Sequence, residues 1–399
     1  MQPKVYSEIQ GWKKPLHLVR AGLAKRYLRL FPSVQVIGIT GSVGKTLTQN
    51  AVYKVLSQKY NCIAGEENLD PTFRIPRTVL RLKPWHKFLI LEYGVEHPGD
   101  MDYYLSIAKP NIAAVTNIAQ THTKYFKDTA GVFHEKSKLI KALPASGYAI
   151  LNADDPNSAK LQDQTKATVI WVGKNAKKGV KISNFKQNLN GSSFRLHYKG
   201  QIAHVSWKII GAHQLLAAFI AATVGILNGM TLKQIAAGLS TVKPPMHRLS
   251  QIVTKHVNII DDTYNSSPKA AIESINTLRI VGKGLKKIAV LGEMKDLGEV
   301  SATAHATVGE AVAKNKINVL VVVGNAAKDI VTAARKKSFK GKIISVSSTK
   351  EALKEAKKLA GKKSVILVKG SRHTHLERVV LGLMHKSTHI TCYHCGKLK

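Results

Sequence analysis

Apolar residues in this chain fall into short runs separated by stretches of helical spacing. Residues 34–39 form a run rich in β-branched side chains, and 46–56 follow with apolar positions three and four apart. Further buried strands are predicted at 88–91, 112–115 and 148–151, with helical sequence between them. Uniformly apolar strands alternating with helices indicate a parallel sheet covered on both faces. Between 180 and 208 the pattern changes to strict alternation, as in Ser193-Phe194-Arg195-Leu196-His197-Tyr198, with Asn190-Gly191 as a hairpin-type turn. This stretch predicts an antiparallel patch on the same domain, followed by a mostly apolar helix over 213–227. Pro244-Pro245 suits neither a helix nor a strand interior and marks a boundary. Beyond it, apolar runs at 257–260, 288–291, 319–323, 343–346 and 365–368 predict a second doubly wound α/β domain ending near Met384.

Ahead of the first strand, 12–31 reads as a helix. Leu16, Val19, Leu23, Tyr27 and Leu30 fall near one face, and Lys13, Lys14, Arg20, Lys25, Arg26 and Arg29 decorate much of the rest. A basic amphipathic helix can make peripheral contact with an anionic membrane. The commoner arrangement packs the apolar face on the next domain, and that packing is expected here. The predicted organisation is a basic helical segment (1–33), a central domain (34–243), a C-terminal domain (244–385) and a tail (386–399).

With 399 residues the chain can build two or three cores, and 44% apolar and 21% charged residues are ordinary for a soluble globular protein. The charge balance changes that picture: 61 Lys and Arg against 24 Asp and Glu leave a net +37. Such a field attracts nucleic acid, anionic lipid or phosphorylated substrates. Its even spread along the chain is equally what a uniformly basic proteome would produce. Nucleic acid is not an expected partner, because no nucleic-acid-binding motif is present and aromatics at 6% offer few stacking platforms. A non-catalytic nucleic-acid-binding protein on a vestigial nucleotide-binding fold is the distant alternative. The longest apolar run, near 215–227, is shorter than the about 20 residues a bilayer span needs. The N-terminus has no signal-type apolar stretch, and three cysteines cannot form a disulfide framework. A cytoplasmic protein is expected.

Candidate chemistry centres on Gly38-Ile39-Thr40-Gly41-Ser42-Val43-Gly44-Lys45-Thr46, which joins the first strand to a helix. Glycines there let backbone N–H groups of Gly41, Ser42, Val43 and Gly44 turn toward phosphates, and the helix start adds partial positive charge. Lys45 would reach the β- and γ-phosphates of ATP, and Thr46 would place its hydroxyl on Mg²⁺. The strict phosphate-loop spacing calls for a glycine where Ile39 stands; here the glycines lie at 38, 41 and 44.

This three-residue spacing resembles the Mur ligases, and the resemblance extends over nearly the whole chain. Glu92-Tyr93-Gly94, Thr116-Asn117-Ile118-Ala119-Gln120-Thr121-His122, Glu135-Lys136-Ser137-Lys138 and Leu151-Asn152-Ala153-Asp154-Asp155 match the family's central motifs in order. Ile260-Asp261-Asp262-Thr263-Tyr264-Asn265, Leu291-Gly292-Glu293-Met294-Lys295 and Val368-Lys369-Gly370-Ser371-Arg372 are most similar to the branch that adds D-alanyl-D-alanine to a muramyl tripeptide. The resemblance implies a phosphate-loop central domain with a mainly parallel sheet and an antiparallel patch, then a Rossmann-like C-terminal domain. It also implies an ATP-dependent amide ligase of cell-wall synthesis: the γ-phosphoryl group passes to a peptidyl carboxylate, and an amine displaces it. By the same resemblance Glu92, His122 and Lys136, the last as a carbamate, would hold a second Mg²⁺. Asn117, Arg248, Asp262, Tyr264 and Asn265 would contact the nucleotide. The nearest alternative keeps this chemistry on another peptide or amino-acid polymer.

Three departures qualify the match. About 33 residues precede the first strand, where the family carries a whole domain gripping the UDP part of the substrate; a carrier bound differently, or not UDP-linked, is the expectation. Gly211-Ala212-His213-Gln214-Leu215-Leu216-Ala217 stands where the family has His-Asn and a second Asn, which puts the adenine contact in question. The tail carries Cys392-Tyr393-His394-Cys395-Gly396. Structural zinc takes four ligands, so a reduced, unstructured tail is expected, with zinc on Cys392 and Cys395 as the alternative.

Overall fold

The computed structural model describes residues 13–66, 69–121, 123–325 and 327–390. Two compact units are present, one comprising most of the chain up to Val242, the other Lys243 onward together with Lys186–Ser192 and Lys208–His213. His122, Cys392 and Cys395 lie outside the described residues.

The first unit opens with helix α1 (Lys13–Leu28) and continues β1 (Gln35–Thr40), α2 (Lys45–Leu56), β2 (Cys62–Ala64), α3 (Pro71–Val79), β3 (Phe88–Glu92), α4 (Asp100–Ile107), β4 (Ile112–Val115), α5 (Thr129–Lys141), β5 (Tyr148–Asn152) and β6 (Thr168–Val172). Its sheet runs β2-β3-β1-β4-β5-β6 and every pairing is parallel. Strand β1 lies in the middle, with Ile37 and Ile39 fully buried; burial of each such side chain contributes about 1.5–3 kcal/mol. The register sets Ile39 against Glu92 of β3 and Thr40 against Val115 of β4. The carboxyl ends of these three strands therefore finish side by side, where open α/β sheets bind ligands.

The alternating segment forms a three-stranded sheet of β7 (Lys181–Asn188), β8 (Gly191–Tyr198) and β9 (Gln201–Trp207). The expected turn is displaced by one residue: Leu189-Asn190 make it, and Gly191 opens β8. A second two-residue turn, Lys199-Gly200, has positive φ at both positions (46° and 77°), the conformation whose twist suits a tight hairpin. Helix α6 (Leu215–Leu227) is apolar on all sides and mostly buried, as a helix without a polar face must be. Helix α7 (Leu232–Ser240) follows, closed at its start by a capping box between Thr231 and Gln234.

The N-terminal helix corrects an expectation. It packs on the core through Ala21 and Ala24, with Leu18, Tyr27, Leu28 and Phe31 partly buried beside them. Leu16, Val19, Leu23 and Leu30, on the predicted packing face, are exposed. Small alanines let the helix approach closely, and the bulkier leucines are left outside.

The second unit contains β10 (Ser250–Val253), β11 (Asn258–Asp262), α8 (Pro268–Val281), β12 (Lys286–Gly292), α9 (Ser301–Lys314), β13 (Val319–Val323), α10 (Lys328–Lys336), β14 (Lys342–Val346), α11 (Thr349–Leu359), β15 (Ser364–Lys369) and α12 (Glu377–Leu383). Its sheet runs β10-β11-β15-β12-β13-β14, antiparallel only at β10. Apolar clusters cover both faces of this sheet, as the doubly wound prediction requires. Among the described residues no helix is long and apolar enough to cross a membrane.

Candidate active site

Strand β1 delivers the chain into the loop 41–44, and the β4 end shapes that loop from behind. Thr116 donates its hydroxyl to the Val43 carbonyl at 2.6 Å, and the Val43 N–H donates to Asn117 Oδ1 at 3.1 Å. The Ser42 N–H donates to the Asn117 carbonyl, while its hydroxyl donates to the Ala119 carbonyl at 3.0 Å. Gly41, at φ +143°, is obligatory here: a Cβ would meet Thr116 Oγ1 at 1.9 Å. Gly44 caps α2 in the left-handed region at φ +87°, without a side-chain capping hydrogen bond. The first amides of α2 have no intrahelical acceptor and form an anion-attracting terminus. Lys45 folds back over the loop, its ammonium donating to the Gly41 carbonyl at 3.0 Å. Asn117 thus shapes the loop with its amide, and Asp155 supports the same segment by accepting the Ile118 N–H at 2.9 Å.

Across from the loop, Thr46 donates its hydroxyl to Glu92 Oε2 at 2.9 Å, both residues buried. Arg74 of α3 lies 3.4 Å from the same oxygen. It compensates a carboxylate that would be costly to bury alone. Gly94 lies two residues beyond Glu92; a Cβ there would touch Lys45 Cε at 3.4 Å and Glu92 Oε1 at 3.6 Å, which locates the lysine stem beside the carboxylate. Lys136, on α5, is only 2% exposed. Burial pushes its amine well below the usual lysine range, Lys45 pushes it further, and Glu135, Glu92 and Asp100 pull the other way. A buried amine therefore stands within electrostatic reach of the loop lysine and Glu92. Glu135 is spent on structure, accepting the Gly99 and Met101 N–H groups at 3.0 and 2.8 Å.

In the second unit, β11 and β15 pair in parallel with Asp262 opposite Lys369. Asp262, expected to face nucleotide, is buried and fully engaged. Its carboxylate accepts Lys369 Nζ at 2.7 Å, the Ser274 hydroxyl at 2.6 Å and the Leu249 N–H at 3.2 Å. Lys369 also donates to the Asn265 carbonyl at 2.9 Å. Asp262 is thus a buttress that fixes the loop bearing Tyr264 and Asn265. The Tyr264 ring carries two guanidinium groups, Arg248 at 3.8 Å and Arg372 at 4.6 Å from its centroid. Arg248, Arg372, Tyr264 and exposed Asn265 form a cationic polar surface at the ends of two neighbouring strands.

Beside it His247 bonds Asp261 Oδ2 through Nδ1 at 2.7 Å. Burial lowers the imidazole's pKa, but the Asp261 hydrogen bond and charge, with help from Glu377, outweigh it and leave the value raised. A raised folded-state pKa means this pair stabilises the unit fully below the unfolded value near 6.5. That stability is lost as pH rises through the folded value. His247→Asn, which tolerates the residue's positive φ of 60°, should cost about 1–3 kcal/mol near pH 6 and distinctly less at alkaline pH. Thermal melts of both proteins across that range check it; a pH-independent gap would mean the ion pair contributes nothing.

The sequence reading did not single out Arg74, Lys369 and Arg372 as site residues. Lys369 and Arg372 stood in a motif already quoted, but Arg74 carried no local signal, its partner Glu92 being 18 positions away. Among the described residues no group of three or more His, Cys, Asp or Glu is arranged to hold a metal.

Comparison with known proteins accords with this geometry. Residues 39–225 match the Mur ligase middle domain and 247–372 the Mur ligase glutamate ligase domain. A UDP-N-acetylmuramoyl-tripeptide–D-alanyl-D-alanine ligase of Buchnera aphidicola subsp. Baizongia pistaciae is 32% identical over 367 residues, covering 91% of this chain and 78% of that protein. The crystal structure of MurF from Acinetobacter baumannii superposes with a TM-score of 0.84 at 26% identity, covering 93% of this chain and 81% of the other. MurF ligase from Thermotoga maritima in complex with ADP gives 0.82 at 26% identity, covering 93% and 84%. A phosphate loop braced by a Thr-Asn-Ile segment, a buried Glu-Lys pair beside it, and matches of this extent lead to one conclusion: the chain belongs to the Mur ligase family.

Proposed function

We infer that this protein is an ATP-dependent ligase that joins D-alanyl-D-alanine to the terminal carboxylate of a muramyl tripeptide. The observation that carries this reading is the convergence of Lys45, Thr46, Glu92 and Lys136 at the ends of three adjacent strands. It occurs in a chain whose similar relatives bear that name. In such a reaction two anions must meet, and the transferring phosphoryl group spreads charge over its oxygens. The α2 amides and Lys45 counter that charge at the triphosphate. Thr46 suits magnesium at the triphosphate and Glu92 with Lys136 a second one: the Thr46 and Glu92 oxygens are 2.9 Å apart, and a carbamate on Lys136 would turn an amine into a hard oxygen ligand. His122 would complete the set by resemblance. When bound, magnesium supplies charge neutralisation and a fixed orientation for the oxygens it holds. Arg248 and Arg372 add cationic groups that suit phosphate or carboxylate, with Tyr264 fixing their planes. ATP supply and the low cysteine count accord with work in the cytoplasm.

The test is a product screen by mass spectrometry with ATP, D-alanyl-D-alanine and muramyl tripeptides, UDP-linked and UDP-free. An amide product with ADP and phosphate is expected, and ATP turnover should need both carboxylate and amine. Turnover stimulated by nucleic acid with no amide product would sink the reading. Ligation of a different peptide alone would move it to the alternative substrate.

A further inference from the structure

Helix α1 is apolar on two faces, and the fold uses only one. Ala21 and Ala24 hold it to the core. The helical period places Leu16, Val19 and Leu23 within an arc of about 60° on another side. These three are 47%, 59% and 52% exposed, and Leu30, just past the helix, is 71% exposed. Four of the ten exposed large apolar side chains among the described residues therefore sit on this one short segment, too many to be scattered surface positions.

The polar surroundings say what covers them. Lys25, Arg26 and Arg29 are exposed and Arg20 is half-buried. No Asp or Glu occurs anywhere between Glu8 and Glu66. At the far end, the Tyr27 hydroxyl donates to the Leu82 carbonyl at 3.0 Å. This anchors the helix beside a turn where Trp85, 63% exposed, stands between exposed Lys83 and Lys87. Exposed aliphatic side chains on a segment that carries several cations and no acid of its own, with an exposed tryptophan on the turn it is anchored to, match the headgroup layer of an anionic bilayer. A second copy of the chain would set like charges against each other on this face.

We propose that the outer face of α1 docks the protein on anionic membrane surfaces, with the helix lying in the interface. This rests on the helix alone and stands or falls independently of the ligase chemistry.

The test uses the full chain in co-sedimentation with vesicles of phosphatidylglycerol and phosphatidylcholine, against phosphatidylcholine alone. A Val19→Ser/Leu23→Ser double variant changes two exposed residues and no charge, so general attraction of a basic protein is held constant. The wild type should sediment with anionic vesicles and not with neutral ones. The variant should bind about ten-fold or more weakly, with its melting temperature and ATP turnover unchanged. Equal binding by the variant would show that charge alone acts and would overturn the proposal. So would equal binding to neutral vesicles, no vesicle binding at all, or a wild-type dimer that the variant dissolves.

Discussion

Lys45→Ala should lower ATP-dependent ligation about a thousand-fold or more while leaving the protein folded. The argument is one of charge. The loop 41–44 offers backbone dipoles, but Lys45 is the full positive charge that the fold sets over them, held at 3.0 Å from the Gly41 carbonyl by its own ammonium. In the bound state that ammonium would exchange a carbonyl for phosphate oxygens, a gain that grows as charge develops on the transferring group. Removing it leaves ground-state binding partly intact, since the α2 amides remain, so the loss should fall mainly on turnover. The loop itself should survive, because its shape comes from Thr116, Asn117 and Ser42. Isotopic exchange or hydroxylamine trapping for the acyl phosphate, with circular dichroism for the fold, reads both halves. Undiminished acyl-phosphate formation would remove the loop from the mechanism.

Lys136→Ala is expected to be nearly as damaging, for a different reason, and to be rescued by added short carboxylic acids. An amine whose pKa burial and then Lys45 lower well below the usual lysine range is a better nucleophile for carbon dioxide. Addition forms an N–C bond, releases a proton and leaves a carboxylate on nitrogen. The pKa depression favours this at neutral pH because only the uncharged amine reacts. Deleting the side chain should cost at least a hundred-fold in turnover, and acetate or formate entering the cavity should recover part of it. An intact-mass increase equal to one carbon dioxide on the wild type, lost in Lys136→Ala, is the second readout. Loss of activity without rescue, and without that mass, would reduce Lys136 to a packing residue.

How much of this was legible beforehand follows from how far each interaction reaches along the chain. Uniformly apolar runs such as 319–323 announced buried parallel strands, and glycines at 41 and 44 announced the loop, because these signals are local. The face of α1 misled for a physical reason: large leucines resemble core positions, yet close helix packing favoured Ala21 and Ala24. Strand β2, three residues long, and the edge strand β10 were too short for periodicity to show. Asp262 was placed at a strand end correctly, but its role was not visible. Lys369, which claims its carboxylate, is 107 residues away. Arg74 beside Glu92 was hidden in the same manner. Motif order found the residues; only three dimensions showed which side chains brace the others.

The order of the second sheet has a further consequence, for synthesis. Strand β15 lies between β11 and β12, so the last strand to be made is inserted in the middle of the sheet. Until the ribosome has delivered residues 364–369, β11 and β12 have no common neighbour and their inner edges stay open. The lysine that closes the Asp262 buttress arrives on that same strand. An unfinished chain can therefore complete the earlier phosphate loop, but neither this sheet nor the loop that Asp262 braces. Parallel pairing at such separation is also slow to form. During synthesis the open edges of β11 and β12 are the stretch most in need of protection from other chains.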